Sequence, residues 1–339
     1  MFSGYSATLL IIATWISYTI AIIMMTVLAA RFFSWFRSNR NSVVLLYGLA
    51  STILAINAAF TVVFVSVILM NSPTFVVPHT GVGYPFFLLG SVTDLINNGY
   101  VISSIASFML WWIATVTVLR HYSEKSRTKI RWIILSIPLI YFLIQFQPLF
   151  INLFSSFLLS EPVLFSTLYT LTFTLSKVVG GILFGIAFWS IARKLSGKNV
   201  IRDYMIVSAY GLVLVFVCNQ AAVLVSAAYP PFGVASASFM GLASYLVLVG
   251  IYSSAISVAE DSNLRRSIRS LTTEESRLLD SIASAHMEQE IQKRVLTLTK
   301  QNQDRLTEET GIQSSLTEDD MKSYLQEVIK EIQKGRQQK

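Results

Sequence analysis

The chain has 339 residues, 53% of them hydrophobic and only 13% charged, with a mean hydropathy of +0.59. Soluble domains carry about 25% charged residues, so this balance excludes an ordinary soluble domain and points to an all-α polytopic membrane protein. The net charge of +7 does not make a nucleic-acid binder: residues 1–258 hold 13 Lys/Arg against 4 Asp/Glu, whereas residues 259–339 hold 13 against 15. The surplus lies among apolar segments, where membrane topology accounts for it, and the polar tail is near neutral.

Seven apolar stretches are long enough to cross a bilayer as helices, at about 6–30, 43–70, 100–119, 132–154, 164–191, 204–227 and 237–258. The first has an uncharged amino-terminal flank and basic residues only after it, the reverse of a cleaved signal peptide, so it reads as a retained helix. The loops between spans alternate in charge. Loop 31–42 carries Arg31, Arg37 and Arg40; loop 120–131 carries Arg120, Lys125, Arg127, Lys129 and Arg131; loop 192–203 carries Arg193, Lys194, Lys198 and Arg202. Loops 71–99, 155–163 and 228–236 carry none. With the tail, 25 of the 26 basic residues fall on one side. The positive-inside rule then sets the amino terminus outside and the carboxyl terminus in the cytoplasm of a multi-pass cell-membrane protein.

Among the outer loops only 71–99 is long. Pro73, Pro78, Gly81, Gly83 and Pro85 break its regular structure, and Phe86 to Ile96 reads as a short interfacial or re-entrant helix. Tyr229-Pro230-Pro231-Phe232-Gly233 is a stiff outer turn. Two domains follow from composition: a seven-helix transmembrane domain, 1–258, and a cytoplasmic helical tail, 259–339. The last span is expected to run on from Ser254 through Leu271, and Thr272-Thr273-Glu274-Glu275 reads as a capping box that starts a new helix. Leu264, Ile268, Leu271, Leu278, Ile282 and Ala285 keep a 3-4 spacing through a juxtamembrane, coiled-coil-like region of about 259–310. A phase break near Gln289 precedes Ile291, Val295 and Leu298. A last amphipathic helix, 317–334, would carry Met321, Leu325, Val328 and Ile332 on one face. A tail of this size needs a homodimer or a soluble partner for stability.

The exceptional basic residue is Lys177, near the middle of the fifth stretch. A charge there costs at least ~2.5 kcal/mol, which makes it a functional candidate by default. Counting a similar depth from the cytoplasmic end of every other span reaches Asn57, Gln145 or Gln147, Asn219 and Gln220, Ser103 and Ser104, and Ser244 and Tyr245. Lipid offers no hydrogen bonds, so these side chains are expected to form a polar layer. Lys177, Gly181 and Gly185 are spaced four apart and share one helix face, which the small residues mark as a helix contact. The expected ligand-binding set is therefore Lys177, Asn57, Gln145, Gln147, Asn219, Gln220, Ser104 and Ser244, suited to a polar or anionic small ligand. A structural network that merely holds the bundle together is the alternative.

No Asp or Glu lies inside a span, which argues against a cation-coupled pump. A retinal site is not expected either: the seventh span has no lysine and the interior no carboxylate. His79, His121 and His286 fall in separate regions, so no metal site and no cofactor are expected, and His286 reads as solvated helix surface. Cys218 is the single cysteine and can form no intramolecular disulfide. No nucleophile–base pair, phosphate loop or zinc motif is present, so no enzyme and no catalytic residue are expected.

The run Tyr229-Pro-Pro-Phe-Gly233, Ser236-Ala-Ser-Phe-Met-Gly241, Ser244-Tyr-Leu, Gly250-Ile-Tyr-Ser-Ser-Ala and Leu264-Arg-Arg-Ser-Ile268 resembles a block in archaeal seven-span membrane proteins with sensor-like membrane modules. The resemblance covers about 40 residues and assigns no ligand residue. It implies signal transduction, in which the membrane part passes a ligand or membrane signal to the tail. Two other classes remain open from the residues: a small-solute transporter or channel using the polar layer, and a structural or assembly subunit whose tail docks a partner.

Overall fold

The computed structural model describes residues 4–71, 74–76, 83–85, 90–120, 128–146, 153–154, 160–195, 200–220, 232–260 and 274–310. The principal helices are α1 (Gly4–Asn39), α2 (Ser42–Asn71), α3 (Val92–Arg120), α4 (Thr128–Ile144), α5 (Pro162–Lys194), α6 (Val200–Cys218), α7 (Phe232–Glu260) and α8 (Glu274–Thr310). A small antiparallel hairpin, β1 (Thr74–Val76) with β2 (Gly83–Pro85), pairs Phe75 with Tyr84 between α2 and α3.

Among the described residues, six helices are long and apolar enough to cross a membrane: α1, α2, α3, α5, α6 and α7. Their outward faces carry large apolar side chains, for example Ile12, Trp15, Ile16 and Ile23 on α1, and Phe239 and Leu242 on α7. Apolar surface on that scale belongs in lipid, and the protein is a multi-pass helical membrane protein.

The helices form a closed ring. α1 packs on α2, α2 on α3, α3 on α5, α5 on α6, α6 on α7, and α7 returns to α1, with α4 outside the ring against α5. The wall between α3 and α6 is aromatic: Phe108 stacks on Phe142 at 3.9 Å, and Phe184 meets Phe216 edge-on at 4.7 Å. On α5, a Cβ at Gly181 would stand 2.8 Å from the Phe216 Cβ, and one at Gly185 2.9 Å from the Ala209 carbonyl oxygen. Glycine at these two positions is what lets α5 and α6 approach so closely, as the four-residue spacing from Lys177 implied.

Several boundaries differ from expectation. α1 runs on to Asn39, so Arg31 and Arg37 are helical rather than in a loop. The α1–α2 connection is a tight turn in which Arg40 takes a φ of 52° and the Asn41 side chain caps α2, accepting from Val43 N at 2.8 Å. Of the expected fourth stretch, 132–154, the described part forms an apolar helix over Trp132–Ile144, about 20 Å at 1.5 Å per residue, and residues 147–152 lie outside the described residues. Of the expected short helix at 86–96, residues 86–89 lie outside the described residues, and Val92 to Ile96 belongs to α3. α6 was expected to reach residue 227 but ends at Cys218, and Asn219 and Gln220 are not helical. α7 is helical to Glu260; the expected continuation to Leu271 and the amphipathic helix 317–334 lie outside the described residues.

α8 does not simply extend away from the bundle. Its first half lays Leu278, Leu279, Ile282, Ala283 and Ala285 against α1 and α7, all buried. Past Gln289 it departs, and Ile291 and Leu298 are exposed at 49% and 59%. The phase break in the sequence falls where the helix leaves its support.

Candidate functional site

Lys177 is buried, 5% exposed, and faces the ring interior. Its ammonium donates to the Asn219 main-chain carbonyl at 2.6 Å and to the Tyr100 hydroxyl at 3.4 Å, and it lies 5.4 Å from the centre of the Tyr100 ring. The carbonyl follows directly on the last turn of α6, where Asn219 N still bonds back to Val215 O at 2.9 Å. Carbonyls at a helix carboxyl end lack intrahelical partners and carry the negative pole of the helix, so a cation there is favourable on both counts. The preceding carbonyl, of Cys218, accepts from the Tyr18 hydroxyl at 3.1 Å and from Gln220 N at 2.9 Å. Side chains from α1 and α5 thus satisfy the end of α6 inside the apolar ring.

Around this point the polar side chains interlock. Asn57 on α2 donates to the Tyr100 carbonyl at 3.2 Å and the Ser103 hydroxyl at 3.0 Å, and accepts from Asn219 Nδ2 at 2.9 Å. Ser103 in turn donates to the Tyr100 carbonyl at 3.0 Å. One connected layer therefore joins α2, α3, α5 and the end of α6. It sits about 21 Å along α5 from Ile191, taking 1.5 Å per residue.

Of the eight residues expected from depth, the structure brings Lys177, Asn57 and Asn219 together. Gln145 sits at the α4–α5 contact, accepting from Ser176 at 2.5 Å, one position from Lys177 but on another face of α5. Gln220 is buried at the end of α6. Ser104 is buried on α3 and takes no part in the network, and Ser244 donates to the Met240 carbonyl of its own helix at 2.9 Å. Gln147 lies outside the described residues. Two members were missed, Tyr100 and Tyr18. Tyr18, in the middle of the stretch 6–30 and away from the interfacial belt where tyrosines are usual, carried a signal; Tyr100, the first residue of the stretch 100–119, carried none.

The layer sets one amine, that of Lys177, against carbonyl, amide and phenol oxygens. Among the described residues no group of three His, Cys, Asp or Glu side chains could hold a metal ion. The arrangement offers a hydrogen-bond-donating amine and several amide dipoles in one place.

A second polar cluster fastens α8. Ser38 donates to Glu288 Oε2 at 2.6 Å, Asn41 to the Ser281 hydroxyl at 2.7 Å, and Gln289 to the Ser34 carbonyl and hydroxyl at 3.0 and 2.9 Å. His286 lies here, 8% exposed, edge-on to Tyr252 with ring centres 5.8 Å apart, and Arg31 covers the Tyr252 ring at 5.0 Å. The expectation of a solvated His286 is therefore overturned: α8 folds onto the bundle and buries that face. Burial lowers the His286 pKa from its ordinary value of 6.5, with Arg31 adding to the shift and Glu290 and Glu260 opposing it.

Comparison of the sequence with protein-family models and with curated proteins, and of the fold with solved structures, yields no match. The functional reading therefore rests on the site itself.

Proposed function

We propose that the chain is a receptor-like signal transducer of the cell membrane, with seven spans, the amino terminus outside and the carboxyl terminus cytoplasmic. The seventh span in this reading is the fourth stretch, with α4 as its first part. A polar or anionic ligand, or a change in the membrane, acts on the layer around Lys177; the end of α6 responds, and α7, which packs on both α6 and α8, passes the change to the tail. The observation that carries this reading is the behaviour of α8, half docked on the ring and half presented to solvent. A helix held by a few hydrogen bonds and a modest apolar face has the low local stability that a moving output element requires. The exposed positions Ile291 and Leu298 are then the contact for a second copy or a soluble partner.

Cysteine pairs test it directly, because the one native thiol, Cys218, is buried. Single cysteines placed along 291–298 in membranes should cross-link with a helical periodicity. Absence of any periodic pattern would sink the proposal. Membrane-impermeant labelling of Glu161→Cys and Glu124→Cys tests the topology: only the first should react from outside.

A transporter or channel for a small solute is the second reading, favoured by the end of α6 within the polar layer. Helices broken at membrane depth present backbone carbonyls to substrates and ions. Liposome uptake of a small solute that is lost in Lys177→Leu, with folding retained, would favour this reading over signalling.

A further inference from the structure

Most serines and threonines of the bundle settle their hydroxyls against a carbonyl one turn back in their own helix: Thr14 on Leu10, Thr52 on Gly48, Thr61 on Asn57, Ser66 on Val62 and Ser244 on Met240. Three find no partner at all among the described residues. Ser51 on α2 and Ser107 and Thr115 on α3 are buried, at 0%, 2% and 0% exposure, and their oxygens have no hydrogen-bond partner there. Of the buried aromatic side chains in the same state, two lie on these same helices, the Tyr47 hydroxyl on α2 and the Trp111 indole nitrogen on α3, both fully buried.

These five belong to one seam. Ser107, Trp111 and Thr115 are four apart on α3 and lie on one face; Tyr47 and Ser51 do the same on α2. The two helices pack directly, with the Tyr47 and Trp111 rings 5.3 Å apart. The Tyr47 hydroxyl also lies within reach of the Thr115 hydroxyl, though neither finds a well-aligned bond there. Asn57 against Tyr100 and Ser103, and Tyr47 against Trp111, fix an antiparallel register that sets Ser51 level with Ser107. The seam thus begins one or two turns from the Asn57–Lys177 layer. From Asn57 to Tyr47 it covers about 15 Å of α2, at 1.5 Å per residue.

Five buried polar groups with no partner are a heavy penalty for one interface, since each carries the full cost of its desolvation. Their chemistry is mixed: four hydroxyls that donate and accept, and one indole that only donates. A guest that both donates and accepts at every level satisfies all five, and at this spacing along two helices it must be small and repeated. We propose that the α2–α3 seam binds a file of internal water molecules, held by Tyr47, Ser51, Ser107, Trp111 and Thr115. Such waters bond two to four polar groups each and belong to the fold. The file hydrates one side of the Asn57–Lys177 layer and runs from it toward the end of the ring where α1 joins α2.

Two measurements on the full-length protein in detergent test it. The first is radiolytic hydroxyl-radical labelling, in which bound waters oxidise adjacent side chains that bulk solvent does not reach. Tyr47 and Trp111 should be oxidised faster than Phe142, equally buried but stacked in the aromatic wall, after correction for intrinsic reactivity. The second is a sign test with Tyr47→Phe, Ser51→Ala, Ser107→Ala and Thr115→Val. If these groups hold water, each loses bonds and the melting temperature falls, by roughly 2–4 °C for a loss of about 1 kcal/mol. If the seam is dry, each change removes an unsatisfied polar atom and the melting temperature holds or rises. Labelling of Tyr47 and Trp111 no faster than that of Phe142 overturns the proposal, and so does a set of four substitutions without loss of stability.

Discussion

Lys177 donates at 2.6 Å to the main-chain carbonyl of Asn219, the residue next after the end of α6. A side chain from the middle of one membrane helix therefore closes the carboxyl end of another. This single bond relates two oddities of the bundle, a buried cation and a helix that stops inside an apolar ring.

Replacing Lys177 by methionine keeps the stem and removes the donor. The Asn219 carbonyl then loses its partner, and the expected cost is about 1–3 kcal/mol, the penalty of an unsatisfied buried acceptor. Thermal unfolding in detergent should show the lower midpoint. A midpoint equal to or above that of the wild type would mean that the burial cost of the ammonium outweighs its bond to Asn219.

Asn57 and Asn219 should be energetically coupled, because Asn219 Nδ2 donates to Asn57 Oδ1 at 2.9 Å. A double-mutant cycle of Asn57→Leu and Asn219→Leu is expected to give an interaction energy of about 0.5–3 kcal/mol. Additive losses would show that the two amides sit side by side without supporting each other.

Gly185→Ala places a methyl group 2.7 Å from Val213 Cγ2 and 2.9 Å from the Ala209 carbonyl, both on α6. The side chain can turn away; the backbone oxygen cannot. Overpacking of this kind costs about 1–3 kcal/mol and should push α5 from α6. Loss of the Lys177–Asn219 bond would follow, so cross-linking between α5 and α6 near residues 177 and 219 should weaken along with stability.

The docking of α8 should weaken in acid. His286 has a lowered pKa when docked, chiefly through burial, and an ordinary one near 6.5 when released. Above about pH 6.5 it is neutral in both states and docking is at full strength. As pH falls through 6.5 toward the lowered value, the released form binds more protons and gains. Arg31 on α1 disfavours the charged form, while Glu260 on α7 and Glu290 on α8 favour it, and the net shift remains downward. A disulfide between Ser38→Cys and Glu288→Cys should form less well at pH 5.5 than at pH 8, and the drop should be larger with native His286 than with His286→Phe, which keeps only the effect of thiolate ionisation. An equal pH dependence in the two proteins would rule the linkage out.

What the sequence determined is chiefly one-dimensional. The apolar runs specified the helices, because lipid leaves no other way to satisfy a backbone, and the count of basic residues gave an expected orientation. Depth could be counted too: Asn57, Lys177 and Asn219 lie on one level because an α-helix rises by a constant amount per residue. The spacing of Lys177, Gly181 and Gly185 gave the inward face of α5 for the same reason.

Azimuth and termination were decided by tertiary structure. Whether Ser104 or Ser103 faces Asn57 depends on how α2 and α3 rotate against each other, and helical period alone leaves that open. The end of α6 at Cys218 has no local breaker; it is stable because Tyr18 and Lys177, far away in the chain, accept the task of pairing its last carbonyls. The burial of His286 arose likewise from α8 turning back onto Tyr252, a contact between residues 34 positions apart in the sequence. Lys177 was legible as a charge that needed a partner, but the partner is a backbone oxygen, which every residue carries and no sequence can mark.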